Sequence, residues 1–390
     1  MTERKRTPAV SSGDETVMRP FAIYILGAGF FQPAGLPLAT ELWREVYRRA
    51  AALTGRMAQF REDLEDFIRF KSECDRVQLS PDQVNYEEFL GYLDIEYHLE
   101  LRGSQTWSDD GNEAQIVAKT LIGQVIAERM PCKKAIPQLY LNFVRKLQPG
   151  DKILTFNYDV LLEHAFEVAG VPFRLFRGRV GTFGWGSPDE VEVYKLHGSI
   201  DWFDRRSYTR SETEWKARGL AEGPKHPIFN SPREPKITPL IDGESYQDDP
   251  LRETYRVIDF QRFYSDPPWF LAVPKIINPS TAKIIFAKQF SDFFYGLGDS
   301  GLAHYKFNII GFSMSEHDEY ARQVIYRIVK NYLMIDQLND PPRRKDPIRL
   351  VDYRPDAGSR SQLLERYAFL DPAKSEFFWD GFDEATVERL

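Results

Sequence analysis

The chain has 390 residues, 42% hydrophobic, 14% aromatic and 28% charged, the balance of a folded globular protein and not of a disordered one. Its net charge of -7 argues against broad neutralisation of nucleic-acid phosphates, so stable nucleic-acid binding by this chain is not expected. Only two cysteines are present, Cys74 and Cys132, without metal-ligand spacing; this disfavours a zinc module, an iron-sulfur site or a disulfide scaffold, so no metal is expected, and a reducing, cytoplasmic compartment fits.

Residues 1–20 carry charge with no apolar stretch behind it, and no later run approaches membrane-spanning length. They read as a flexible arm, and no membrane association is expected. "FAIYILG", residues 21–27, is a near-continuous apolar run of the kind buried on both faces of a parallel sheet. After the turn "GAGFFQPAGLP" comes a helical pattern through Leu42, Val46 and Ala50, with Thr40 as its expected N-cap. From about residue 56 to 147 the pattern is helical throughout. It includes Asn85 and Glu88 at capping-box spacing ahead of a stripe of Phe89, Leu90, Leu93 and Tyr97, and further helices at about 113–129 and 135–146.

Strand character returns with "KILTFNY", followed by a helix over about 159–169 and a strand in "VEVYKLHG". Residues 204–274 are rich in Pro and charge with weak periodicity, too long for an ordinary connection, and read as a loop-rich insertion. A helix is expected over residues 281–298. The strand "YKFNIIGFS" precedes a helix capped by Ser315 that carries Val324, Ile325, Ile328 and Tyr332, and "IRLVDYR" is a last strand ending in Asp352. The basic "PPRRKDP" at 341–347 reads as a solvated turn.

Strands alternating with helices imply an α/β fold, a Rossmann-like doubly wound parallel sheet that binds ligands beyond the carboxyl ends of its strands. Gly27, Asn157, Asp159, His197, Ser313 and Asp352 all fall at such ends. In Gly27-Ala28-Gly29, glycine lets backbone N–H groups approach an anion, although a tight turn needed only for packing explains it nearly as well. His197 is suited to general-base work, with Gly198 leaving room for a ligand beside the ring; a satisfied core histidine is the alternative. The other histidines, His98, His164, His226, His304 and His317, read as surface or helix-face residues. Asn157 can orient a ribose hydroxyl or a water, or make an Asx turn. Asp159 can accept a carboxamide N–H, cap the following helix, or do both.

Four stretches, "GAGFFQPAGLP", "LTFNYD", "KLHGSIDW" and "NIIGFSMSEHD", in this order resemble the sirtuin superfamily, and more closely its bacterial sirtuin-like branch of anti-phage NAD-degrading proteins. The resemblance implies a sirtuin-like NAD-binding domain over residues 21–390, with a helical insertion at about 56–147 and the loop-rich one at about 204–275. It implies that Gly27, Ala28 and Gly29 hold the NAD pyrophosphate, with Gly35 shaping the same loop. Asn157 then lies beside the nicotinamide ribose, Asp159 contacts the carboxamide and His197 is the catalytic histidine. Gly311 and Ser313 lie near the adenosine, with Asp352 beside them.

The chain departs from the deacylase pattern. It cannot supply a four-cysteine zinc module, it has Phe31 where a serine is common, and Leu38-Ala39-Thr40 replaces Asp-Phe-Arg. With these departures, the resemblance to the defence branch implies NAD+ hydrolysis to nicotinamide and ADP-ribose in abortive anti-phage defence, with NAD as substrate, a homo-oligomeric state and a HerA-like ATPase as partner. An NAD-dependent protein deacylase and a non-catalytic NAD or ADP-ribose sensor are the alternatives. A dehydrogenase is weaker, since the fingerprint glycines and the later acidic residue are not matched.

Overall fold

The computed structural model describes residues 20–390 apart from 102–109, 176–188, 220–224, 232–235, 242–248, 250, 278–303, 317 and 340–341. The arm at 1–20 (save residue 20), the helix expected over 281–298 and His317 lie outside the described residues.

Strands β1 (Phe21–Leu26), β2 (Lys152–Thr155), β3 (Phe173–Leu175) and β4 (Val191–Lys195) open the main sheet. β5 (Trp202–Asp204), β6 (Ile237–Pro239) and β7 (Thr254–Val257) form a separate antiparallel sheet in the order β5-β7-β6. β8 (His304–Ile310) returns to the main sheet, β9 (Gln337–Asn339) and β10 (Pro342–Arg344) make a hairpin, and β11 (Ile348–Val351) and β12 (Ser375–Phe378) complete the main sheet. Among the described residues that sheet has seven strands in the order β12-β11-β8-β1-β2-β4-β3, and every neighbouring pair is parallel. All six residues of β1 are buried, as its uninterrupted apolar run requires of a central strand covered on both faces. β1 pairs with β2 on one side and β8 on the other, so strand order reverses there and a crevice opens beyond the carboxyl ends.

Helices α1 (Ala28–Phe31), α2 (Ala39–Ala50), α3 (Gln59–Cys74), α4 (Tyr86–His98), α5 (Glu113–Arg129) and α6 (Gln138–Lys146) fill the stretch between β1 and β2. α5 is apolar nearly all round, with Ile116, Val117, Leu121, Val125 and Ile126 buried, as a helix enclosed by others must be. Its start is held by a reciprocal box, in which the Gln115 N–H donates to the Asn112 side chain at 2.9 Å and the Asn112 N–H to the Gln115 side chain at 3.0 Å. One hydrophobic core runs from these helices into the sheet. The remaining described helices are α7 (Leu161–Ala169), α8 (Arg206–Ala217), α9 (Phe260–Ser265), α10 (Glu319–Leu333), α11 (Ala357–Arg366) and α12 (Glu384–Arg389).

Several local expectations are corrected. Leu38, not Thr40, occupies the N-cap of α2. Asn85 caps α4 by accepting from the Glu87 N–H, but Glu88 pairs with Lys71 at 2.9 Å instead of closing the box. Asp318, not Ser315, caps α10; the Ser315 hydroxyl instead donates to Glu87, linking the loop after β8 to the start of α4. The loop-rich stretch contains β6 and β7, which pair with β5 at its start, and the polar α8, whose one buried residue is Tyr208. The basic run contributes β10, an exposed strand, with Arg343 over the Tyr305 ring. His304 is fully buried at the start of β8, stacked against Phe21 and Tyr332, so it is neither a surface nor a helix-face residue.

Candidate active site

The crevice at the carboxyl ends of β1, β2, β4, β8 and β11 holds a hollow of about 600 Å³, within the range of about 300–1,000 Å³ of small-molecule and cofactor sites. It is lined by Gly27, Ala28, Gly29, Asn157, Asp159, His197, Gly311, Ser313 and Asp352, so residues from five strand ends meet around one space. Gly35 is not part of the lining. It is exposed and ends the short turn before α2 at φ +83°, its N–H donating to the Gln32 carbonyl at 2.9 Å, a conformation that glycine adopts without strain.

The glycine turn packs against the turn after β8. The Gly27 N–H donates to the Ile310 carbonyl at 3.0 Å and the Gly29 N–H to the Gly311 carbonyl at 2.9 Å. A Cβ on Gly27 would stand 2.4 Å from the Gly311 oxygen, and one on Gly29 would stand 2.8 Å from the Gly311 Cα. These glycines let the turns after β1 and β8 touch backbone to backbone, and their amide hydrogens are spent inside the protein. Phe31 is buried and lines the same wall.

β2 stays buried through Thr155, whose hydroxyl accepts from the Asn157 N–H at 3.2 Å and turns the chain out of the sheet. The half-buried Asn157 amide donates to the Leu26 carbonyl at 3.5 Å and lines the hollow. Asp159 is 7% exposed and accepts from the Leu161 N–H at 3.0 Å, an Asx-type turn that leads into α7, whose N-cap is Val160 and not Asp159. Burial pushes its carboxyl from the ordinary 3.8 up to about 7, against the pull of the Lys195 ammonium.

His197 follows β4 and is 3% exposed, its ring edge-on to Phe156 at 4.9 Å with Tyr320 at 5.8 Å and Tyr158 at 6.3 Å. Gly198 does not leave room for a ligand. At φ +80° it bridges to Ile276, and a Cβ there would stand 1.9 Å from the Lys275 carbonyl oxygen. Its role is to let the histidine turn pack against that segment, where the Ile277 N–H donates to the His197 carbonyl at 2.8 Å.

Three residues beneath the site escaped the sequence reading. The Lys195 ammonium, 1% exposed, donates to Glu163 at 2.9 Å, to the Ser199 hydroxyl at 2.7 Å and to the Asp159 carbonyl. It thereby ties the β4 end, α7 and the Asn157–Asp159 turn into one unit. A lysine inside an apolar strand was the available signal. At the other end of the hollow Asp352 pairs with Arg354 at 3.1 Å, and burial raises its carboxyl above the ordinary value.

The SIR2-like domain matches residues 151–367, more than half of the chain, a stretch that holds Asn157, Asp159, His197, Gly311, Ser313 and Asp352. The chain belongs to the SIR2-like family. SIR2-like domains are NAD-dependent enzymes, and the fold and hollow described above fit NAD use. The glycine turn lies outside the matched stretch, yet the sheet brings it against Gly311 within it. No curated protein matches the chain. Among the described residues no group of three or more His, Cys, Asp or Glu side chains could hold a metal ion, and no helix is long and apolar enough to cross a membrane.

Proposed function

We propose that the chain is an NAD+ glycohydrolase. Water adds to the ribose carbon bearing nicotinamide, the carbon–nitrogen bond breaks with its electron pair going to the ring, and a proton is released, giving nicotinamide and ADP-ribose. The cationic ring departs neutral, so the site needs no strong general acid; it must stabilise an oxocarbenium-like ribose and deliver the water.

The observation that carries this reading is that Asn157, Asp159 and His197 arrive from two strand ends at one hollow that also takes in the glycine turn and Asp352. His197 accepts the proton of the attacking water or of a ribose hydroxyl, and Asn157 orients that group without adding charge beside the developing cation. Asp159, titrating near 7, meets the carboxamide either as a hydroxyl donor to its oxygen or as an acceptor of its N–H. Burial of His197 excludes bulk water from the reacting end. The two cysteines, both exposed, cannot form the zinc module of a deacylase.

The resemblance to defence proteins supports the wider proposal that this activity depletes cytoplasmic NAD during phage infection, in a homo-oligomer assembled with a HerA-like ATPase. The test is to incubate the full chain with NAD+, with and without such an ATPase, and to quantify nicotinamide. Release without any peptide is expected, with Asn157→Ala and His197→Ala each abolishing it while remaining folded. Release that requires an acyl-lysine peptide would make the chain a deacylase, binding without turnover under both conditions would make it a sensor, and wild-type turnover in both variants would refute the roles assigned.

A further inference from the structure

We propose that Asp318 is a positioning residue for His197, fixing the direction of its imidazole and stabilising the cation formed when the ring takes up a proton; the catalytic half of this inference rests on the NAD-hydrolase reading. Asp318 and His197 are 121 positions apart in the chain yet stand face to face, with Asp318 Oδ2 3.6 Å from His197 Nε2 and the side chains 6% and 4% exposed. At 3.6 Å the contact is longer than a hydrogen bond, and it becomes an ion pair when the ring is protonated.

The carboxylate is not free to wander. Its Oδ1 accepts from the Ala321 N–H at 3.3 Å as the cap of α10, and its own N–H donates to the Ser315 carbonyl at 3.1 Å. α10 therefore aims the second oxygen at the ring, while Phe156 packs against the ring from another side. Both residues line the hollow, so the pair faces the space a substrate would enter.

The charged and titratable groups around the ring come from several elements. Asp318 and Tyr320 belong to the start of α10, Tyr158 and Asp159 to the turn after β2, and Tyr86 and Glu87 to the start of α4. Burial raises all three phenols, so they stay neutral near pH 7. Lys195, two residues before His197, directs its ammonium to Glu163, Ser199 and the Asp159 carbonyl. Asp318 thus supplies negative charge at ion-pairing distance in a dry setting, where an opposite charge moves a titration by roughly 1–3 units.

The deciding variant is Asp318→Asn, because asparagine caps a helix as well as aspartate does and removes only the charge. In protein with isotope-labelled histidine, with His197→Ala identifying the signal, the His197 titration midpoint should fall by about 1 unit or more in Asp318→Asn. In turnover of NAD+, kcat should fall about 10- to 100-fold at neutral pH with KM changed less than roughly threefold, and the acid limb of kcat/KM should move to lower pH. Asp159, pushed up to about 7 by burial, contributes to that limb, so the resonance of His197 itself assigns the shift.

An unmoved His197 midpoint in folded Asp318→Asn would overturn the inference, whatever happens to turnover. Asp318→Ala, which also removes the cap, should give the same shift with lower stability; a shift in Ala alone would reduce Asp318 to a helix cap and likewise overturn it. If the chain cleaves no NAD+ at all, the titration still decides the His197–Asp318 coupling. If cleavage occurs and the midpoint stays, only this inference falls.

Discussion

Replacing Asp159 by asparagine separates the cost of building this site from its chemistry. The carboxyl is 7% exposed, and burial lifts its titration from 3.8 to about 7. Because the folded-state value lies above the unfolded one, the folded protein holds a proton more tightly between about pH 4 and 7, and stability falls as pH rises through that window. About 3 units at 1.36 kcal/mol each set a ceiling of about 4 kcal/mol for the cost of the ionised form above pH 7. Asparagine keeps an acceptor for the Leu161 N–H, so the turn that leads into α7 survives. Urea unfolding should show Asp159→Asn more stable than wild type by about 2–4 kcal/mol at pH 8 and nearly equal at pH 4, with weaker NAD+ binding. A variant less stable at pH 8, or a difference independent of pH, would refute the reasoning.

Lys195→Met should cost about 3–5 kcal/mol in chemical denaturation, because it leaves Glu163, 1% exposed, as a buried unpaired carboxylate. Adding Glu163→Gln should recover part of that loss; no recovery would count against the pairing. Gly198→Ala forces a side chain into φ +80° and to 1.9 Å from the Lys275 carbonyl, so a loss of about 3 kcal/mol or more is expected together with reduced turnover per folded molecule. A thermal unfolding scan near wild type would show the turn to be softer than described.

The parts of the fold that were legible are those where burial dictates composition. β1, β2, β4, β8 and β11 are apolar runs because a sheet covered on both faces tolerates little else. β3 and β12 were not read, since their three and four residues are mostly half-buried and mixed in character. The β5-β7-β6 sheet was missed because its strands are three or four residues long and separated by polar chain. α8 was missed because a helix with one buried residue has no apolar stripe to betray it.

At the site, the strand-end rule placed Asn157, Asp159 and His197 beside one hollow. It could not reveal which partners each glycine serves. Gly27 and Gly29 meet Gly311 across 284 and 282 positions of chain, and Gly198 meets Lys275, contacts that only tertiary packing defines. The same holds for Asp318, where the capping expectation fell on Ser315 three residues away and left the carboxylate facing His197 unread.

The most direct measurement is an experimental structure of the folded His197→Ala chain soaked with NAD+. The account predicts intact dinucleotide in the described hollow, with the nicotinamide ribose at Asn157, the carboxamide at Asp159 and the adenosine toward Asp352. Dinucleotide bound elsewhere, or lying in the hollow with its ribose away from residues 157 and 197, would contradict it.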